Sequence, residues 1–395
     1  MKDFPSNSRS ELVSQARDLR SLLSANAIAV ERERRLVPEN VEALERLGLF
    51  KVMVPERWGG HGASLTTVLE IAAELAKGCT ATAWVQVIIG GSSWIASLLP
   101  DRGQEEIFSA GAPRVCGVIM PTAKTRRVDD GYIVSGQWSF ASGCLHAQWA
   151  ALGIPLVNRA GEIVGEGLAF VPLAELRIDD TWFMAGMRGT GSNTLVGEEL
   201  FIPNHRVLSL ADCVAGRFPA SRHKGADSDH WAFVPALALS LTGVVMGAAQ
   251  AALDLVIEGA AKRGISYTYY EKQTDSQIVH GQVAEAAMKI QGAWLYARRA
   301  AQEIDGDAHA RRAMNYAQRA RIRGECGWIG KLVREAVDLL ASVAGSASFA
   351  DTNAMQRLWR DINVATRHPH LASAHNLELY GRVLLDVPGN ITPGI

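Results

Sequence analysis

Apolar residues recur every three or four positions through residues 9–112. They turn into short alternating runs from about residue 113 and return to helical spacing after about 231. A helix is predicted from Pro38, a good first-turn residue, through Leu47 to a stop at Gly48. Another starts near Ser64, puts Val68, Leu69, Ala72 and Leu75 on one face, and is stopped by Gly78. Residues 54–62 hold too much glycine for a helix and are expected to form a loop. In the middle third, apolar runs at 114–120, 132–138, 147–156, 163–171 and 194–202 are separated by turn signals. These are Asp130-Gly131, read as a hairpin dipeptide, and Asn158–Gly161. Long helical segments are predicted at 236–262, 276–304 and 308–343. The result is an α+β chain with an N-terminal helical domain (1–112), a central β-barrel or sandwich (113–230) and a C-terminal four-helix bundle (231–395).

Two stretches, 78–100 and 231–253, carry no charged side chain and are long enough to span a bilayer. Gly90, Gly91, Ser92 and Ser93 in the first and Pro235 in the second, with no aromatic belts, fit buried helices of a large helical protein better. Composition agrees: with 48% hydrophobic residues the chain can fill a sizeable core. Basic and acidic residues balance at 40 and 41, which gives no support to a nucleic-acid partner. The five cysteines are scattered and form no CxxC pair, so a disulfide framework and a structural metal site are not expected. The first 15 residues are polar and lack a signal-peptide core, and the protein is read as cytoplasmic.

Local motifs narrow the reading. Leu47-Gly48-Leu49-Phe50 with Val54–Gly62, the turn Gly136–Gly143, Gly186–Ser192 with Leu200–Pro203, and Gln356–Asp361 occur in the order of the acyl-CoA dehydrogenase superfamily's signatures. The resemblance covers nearly the whole chain. Trp138-Ser139-Phe140-Ala141-Ser142-Gly143-Cys144-Leu145-His146-Ala147 is most similar to one branch, the oxygenase components of two-component flavin monooxygenases. Many dehydrogenases of the superfamily carry a proton-abstracting glutamate after the Arg-Asp pair. Counting from Arg360-Asp361, that position falls on Pro369, which cannot take a proton, and His368 stands beside it.

The resemblance implies reduced flavin (FMNH2 or FADH2) and O2 reacting through a C4a-hydroperoxide to oxygenate a small aromatic, a phenol, indole or fused ring. It also implies a separate NAD(P)H:flavin reductase and a homo-oligomer, expected to be a tetramer. His368 is the expected acid/base, since an imidazole titrates near neutral pH, and Ser142 the expected hydrogen-bond acceptor at flavin N5. Trp138, Ser142, Arg263 and Trp84 are the expected cofactor contacts, and Ser92, Trp94 and His146 the expected substrate-pocket residues.

Other readings of the same residues stay open. Ser142 before a glycine is ordinary turn chemistry. His368, His370 and His375 could be a loop of exposed histidines or half a metal site. Trp84 and Trp94, among 10 tryptophans, could simply be core. Arg263 fits either a flavin phosphate across a subunit interface or a helix C-terminus. Gly186-x-x-Gly189-x-Gly191 opens no predicted helix, so no dinucleotide site is inferred from it. An acyl-CoA dehydrogenase-like flavin oxidase and a silent flavin-binding scaffold are the competing functions.

Overall fold

The structure, a computed structural model, describes residues 8–389, 391–392 and 394–395; Met1–Asn7, part of the N-terminal segment read as polar, lie outside them. Six helices come first: α1 (Arg9–Asp18), α2 (Arg20–Glu33), α3 (Pro38–Arg46), α4 (Leu65–Gly78), α5 (Thr80–Ala96) and α6 (Asp101–Phe108). Their ends follow local chemistry. Pro38 opens α3, and the Ser64 hydroxyl accepts from Thr67 N–H to cap α4. Gly48 takes φ +67 just beyond α3, a left-handed conformation that favours glycine. The 54–62 loop contains one short 3₁₀ turn, Glu56–Trp58.

Eight strands follow: β1 (Val115–Val118), β2 (Lys124–Val128), β3 (Gly131–Trp138), β4 (Trp149–Val157), β5 (Ile163–Pro172), β6 (Arg177–Asp179), β7 (Thr194–Pro203) and β8 (Val207–Ser209). They form two four-stranded sheets, in the orders β1-β4-β5-β8 and β2-β3-β7-β6. Every pairing is antiparallel except β1 with β4. Side chains of both sheets share one core of their own, which includes Val134, Trp138, Leu152 and Leu195. The predicted hairpin turn sits one residue earlier than expected. Asp129 and Asp130 make it, while Gly131 already pairs with Val128 and Pro203, where a Cβ would strike the Ile202 carbonyl. The three-residue strands β6 and β8 were too short to show a period in the sequence.

After α7 (Leu210–Val214) come α8 (Phe233–Ala260), α9 (Gln277–His309), α10 (Tyr316–Ala344), α11 (Ala354–Ala365) and α12 (Ser373–Leu384). The N-terminal and C-terminal helices fuse into a single apolar core, with Gly243 and Gly247 of α8 lying against the α4 backbone so closely that a Cβ would clash. The two uncharged stretches are therefore core helices. α5 is buried along almost its whole length, and α8, the one described helix apolar and long enough to cross a membrane, has 83% of that window inside the fold.

A buried bond ties the bundle to the β domain, beside the Arg360 guanidinium that donates to the Ala185 carbonyl. Met187 holds φ +54, and its N–H donates at 2.5 Å to buried Asp361 on α11. Beside it, Gly186 packs on the Arg360 carbonyl, where any side chain would clash, and Gly189 packs on Val30 of α2. The glycine-rich segment is thus a loop pressed against two helices, and it leads into a strand. Asp361→Leu, which orphans the Met187 N–H, is expected to cost about 1–3 kcal/mol in chemical denaturation. Asp361→Asn, which keeps the acceptor oxygen, is expected to stay near wild type.

Candidate active site

Three segments converge on one hydrogen-bonded chain. The Trp84 indole, on α5, donates to the Ser142 hydroxyl at 3.3 Å. Ser142 lies 2.7 Å from the Ser192 hydroxyl, which lies 2.6 Å from that of Thr190. Thr190 donates at 2.9 Å to the Met187 carbonyl. Met187, through Asp361, joins the chain to α11. On the far side of Trp84 the His368 ring sits edge-on with centroids 5.5 Å apart. Of the expected residues, Ser142, Trp84 and His368 are therefore brought together.

His368 is not on an exposed loop. It occupies the tight turn between α11 and α12 and is half-buried, and burial pushes its imidazole down to about 4. Its Nδ1 accepts the backbone N–H of His370 at 3.2 Å. A neutral imidazole carries one hydrogen, so that hydrogen must sit on Nε2. His368 as folded therefore gives a hydrogen bond at Nε2 and has no free lone pair with which to act as a base. The adjacent Pro369 is exposed, and its carbonyl accepts from His375 and Asn376. Among the described residues no group of three or more His, Cys, Asp or Glu is placed to hold a metal ion.

Other expected contacts stand elsewhere. Trp138 is 0% exposed: its place at the end of β3 points it between the sheets, where its indole donates to the Gly153 carbonyl. The aromatic this turn offers outward is Phe140, two residues on, with φ +66, 64% exposed and edge-on to Trp182. Strand alternation would have put it on the same face as Trp138; the left-handed turn just beyond β3 is what carries it outward. Trp94 is also 0% exposed, packed on Trp231 and Phe233, with its N–H on the Ser228 carbonyl; it is core, not pocket lining. His146 spends Nε2 accepting the Leu36 N–H and is pushed down to about 4 by burial and by Arg114 and Arg35. It holds the α2–α3 connection. Ser92 is buried against Gly117 of β1, and among the described residues its hydroxyl has no hydrogen-bond partner. Arg263 is exposed three residues beyond α8, and no carboxylate pairs with it among the described residues.

The residues present fit a flavin ring. An outward aromatic face (Phe140) lies two residues from a serine whose oxygen can accept, and His368 offers a donor nearby. Two cavities of about 220 and 210 Å³ lie elsewhere and are lined by neither Ser142 nor His368.

Residues 9–116 match the family described as acyl-CoA dehydrogenase, N-terminal domain, and 239–373 the acyl-CoA dehydrogenase C-terminal domain. The oxygenase subunit HsaA of a flavin-dependent monooxygenase from Mycobacterium tuberculosis is 32% identical, over 90% of this chain and 92% of its own length. The oxygenase component of an FADH2-dependent resorcinol hydroxylase from Rhizobium is 28% identical over 90% of each chain. The structure of XiaF from Streptomyces, in complex with FADH2 and glycerol, superposes with a TM-score of 0.91 at 33% identity, covering 97% of both chains.

His146 and His368 are neutral in the fold but protonate near 6.5 when unfolded, so the unfolded state binds more protons between about pH 4 and 6.5. Stability is therefore expected to fall as pH drops through that window. In thermal melts His146→Gln, which still accepts from Leu36 and cannot titrate, is expected to show a shallower acid loss. An unchanged slope would show that His146 does not contribute.

Taken with the site's geometry, these likenesses show that the chain belongs to the acyl-CoA dehydrogenase superfamily, among the oxygenase components of flavin-dependent monooxygenases.

Proposed function

We propose that this chain takes reduced flavin from a separate NAD(P)H:flavin reductase and uses O2 to oxygenate a small aromatic substrate. The observation that carries this is the place of His368 and Pro369. Where the superfamily's dehydrogenases hold a carboxylate, this chain presents a neutral imidazole whose Nε2–H points away from its own anchoring bond. An acyl-thioester dehydrogenase needs a base at that position. Asp361, about two turns earlier, is buried and engaged with the Met187 amide.

When bound, reduced flavin supplies the electrons that activate O2. The protein's own part is positioning and proton control. Ser142 would accept from the ring edge at N5, with Phe140, Trp84 and His368 as the residues around the ring. The His368 Nε2–H would be the donor offered to negative charge developing on oxygen. Ser92, with its hydroxyl unpartnered between α5 and β1, is the polar group offered to the substrate. Arg263 would serve a flavin phosphate of a neighbouring subunit, a role that its exposed guanidinium fork supports. The adjacent loop, with Tyr267 and Tyr269 fully exposed, and the stripe Ile278, Met288 and Leu295 on the outer face of α9 support burial between copies, as in a tetramer. All five cysteines are free and buried, which supports a cytoplasmic setting.

The test supplies purified protein with a flavin reductase, NADH and O2, and either resorcinol or indole. Substrate-dependent oxygen uptake matched by oxygenated product supports the reading; turnover of an acyl-CoA with a dye acceptor would overturn it. Within this assay His368→Leu is expected to lower coupled product by about 100-fold, the usual scale for losing one donor to developing charge. His368→Gln, whose amide reaches where Nε2 stood, is expected to keep about tenfold more than His368→Asn, whose amide reaches only the Nδ1 position. Equal losses in the Gln and Asn variants would point to proton transfer instead.

A further inference from the structure

A hydroxyl has one proton to give, so a chain of hydroxyls acquires a direction once one end is fixed. The fixed end here is the Met187 carbonyl, which can only accept. Thr190 lies 2.9 Å from it and spends its proton there. The 2.6 Å contact between Thr190 and Ser192 must then use the proton of Ser192. The 2.7 Å contact between Ser192 and Ser142 must in turn use the proton of Ser142. At the other end the Trp84 N–H, a donor only, reaches Ser142 at 3.3 Å. Ser142, Ser192 and Thr190 are 8%, 2% and 2% exposed, so water does not compete for these bonds. Ser142 is left with no proton for any other partner and with one lone pair unused.

We propose that Ser192 and Thr190 are positioning residues that hold Ser142 as a fixed acceptor, so that the chain prefers flavin with a hydrogen on N5, the reduced form, over oxidised flavin. Oxidised flavin has a bare lone pair at N5, which would face the oxygen lone pair of Ser142; reduced flavin has an N–H that completes the chain. The inference rests on the reading that the N5 edge of the ring meets Ser142. It explains how a protein that must wait for delivered dihydroflavin avoids filling its site with the oxidised form.

The test is equilibrium binding, without turnover, of FMN and FAD in both redox states, the reduced state under anaerobic conditions. Wild type is expected to favour reduced flavin by at least about tenfold, one hydrogen bond's worth. Ser192→Ala frees the Ser142 proton to donate to bare N5, so oxidised flavin is expected to bind more tightly than it does to wild type. A merely structural defect would weaken both forms. Thr190→Val, which leaves Ser192 to share its proton, is expected to lie between. Ser142→Ala should lose the preference through weaker binding of the reduced form alone. A ratio unchanged in Ser192→Ala, or equal weakening of both forms, would overturn the relay while leaving the flavin site standing. Failure of wild type to bind either form would instead overturn the site reading, and the relay with it.

Discussion

The site depends on the donation from the Met187 N–H to Asp361. Through it the α11 end of the helical bundle is registered against the turn that carries Thr190 and Ser192. Through those hydroxyls the same turn is registered against Ser142 and α5. Without that anchor the segment at 186–193 would have to hold a non-glycine left-handed residue with an unsatisfied amide, both costly in a buried place. The glycines around it are the geometric counterpart. Side chains at 186 or 189 would push the turn off the Arg360 carbonyl and off Val30.

From that registration the chemistry follows as a matter of proton accounting. On one side is a serine whose single hydrogen is already spent; on the other is an imidazole whose single hydrogen is held outward by a backbone amide. One group can only accept and the other, while neutral, can only give. A dehydrogenase needs a group that removes a proton from carbon, and this pairing has none. It suits a reaction in which hydrogen must stay on the flavin and charge must be steadied on oxygen.

Much of this was legible in the sequence, for physical reasons that differ by element. The long helices declared themselves because a 28-residue or 33-residue apolar period leaves little ambiguity. Ser142 and His368 were singled out because they sit at motifs whose order along the chain matched a known layout, and the fold brings both to Trp84. Trp138, inside a motif, and Trp94, outside any, share one difficulty: a tryptophan in a sequence shows that an aromatic is there, not which way it points. Just beyond β3 the left-handed turn carries Phe140 outward, and in α5 the Trp94 indole packs on Trp231 and Phe233. His146, expected in the substrate pocket, accepts the Leu36 N–H in the α2–α3 connection. Ser192, Thr190 and the His370 amide could not be read at all, because their roles come from contacts between segments distant in the chain or from a turn that folds a backbone N–H onto a side chain.

The most direct test of the site as a whole is an anaerobic crystal of the protein with reduced flavin. The ring is expected in the groove beside Phe140, with N5 within about 3 Å of the Ser142 oxygen and the His368 Nε2–H facing the ring. A ring bound away from Ser142, or a carboxylate from any segment poised over it, would contradict the assignment.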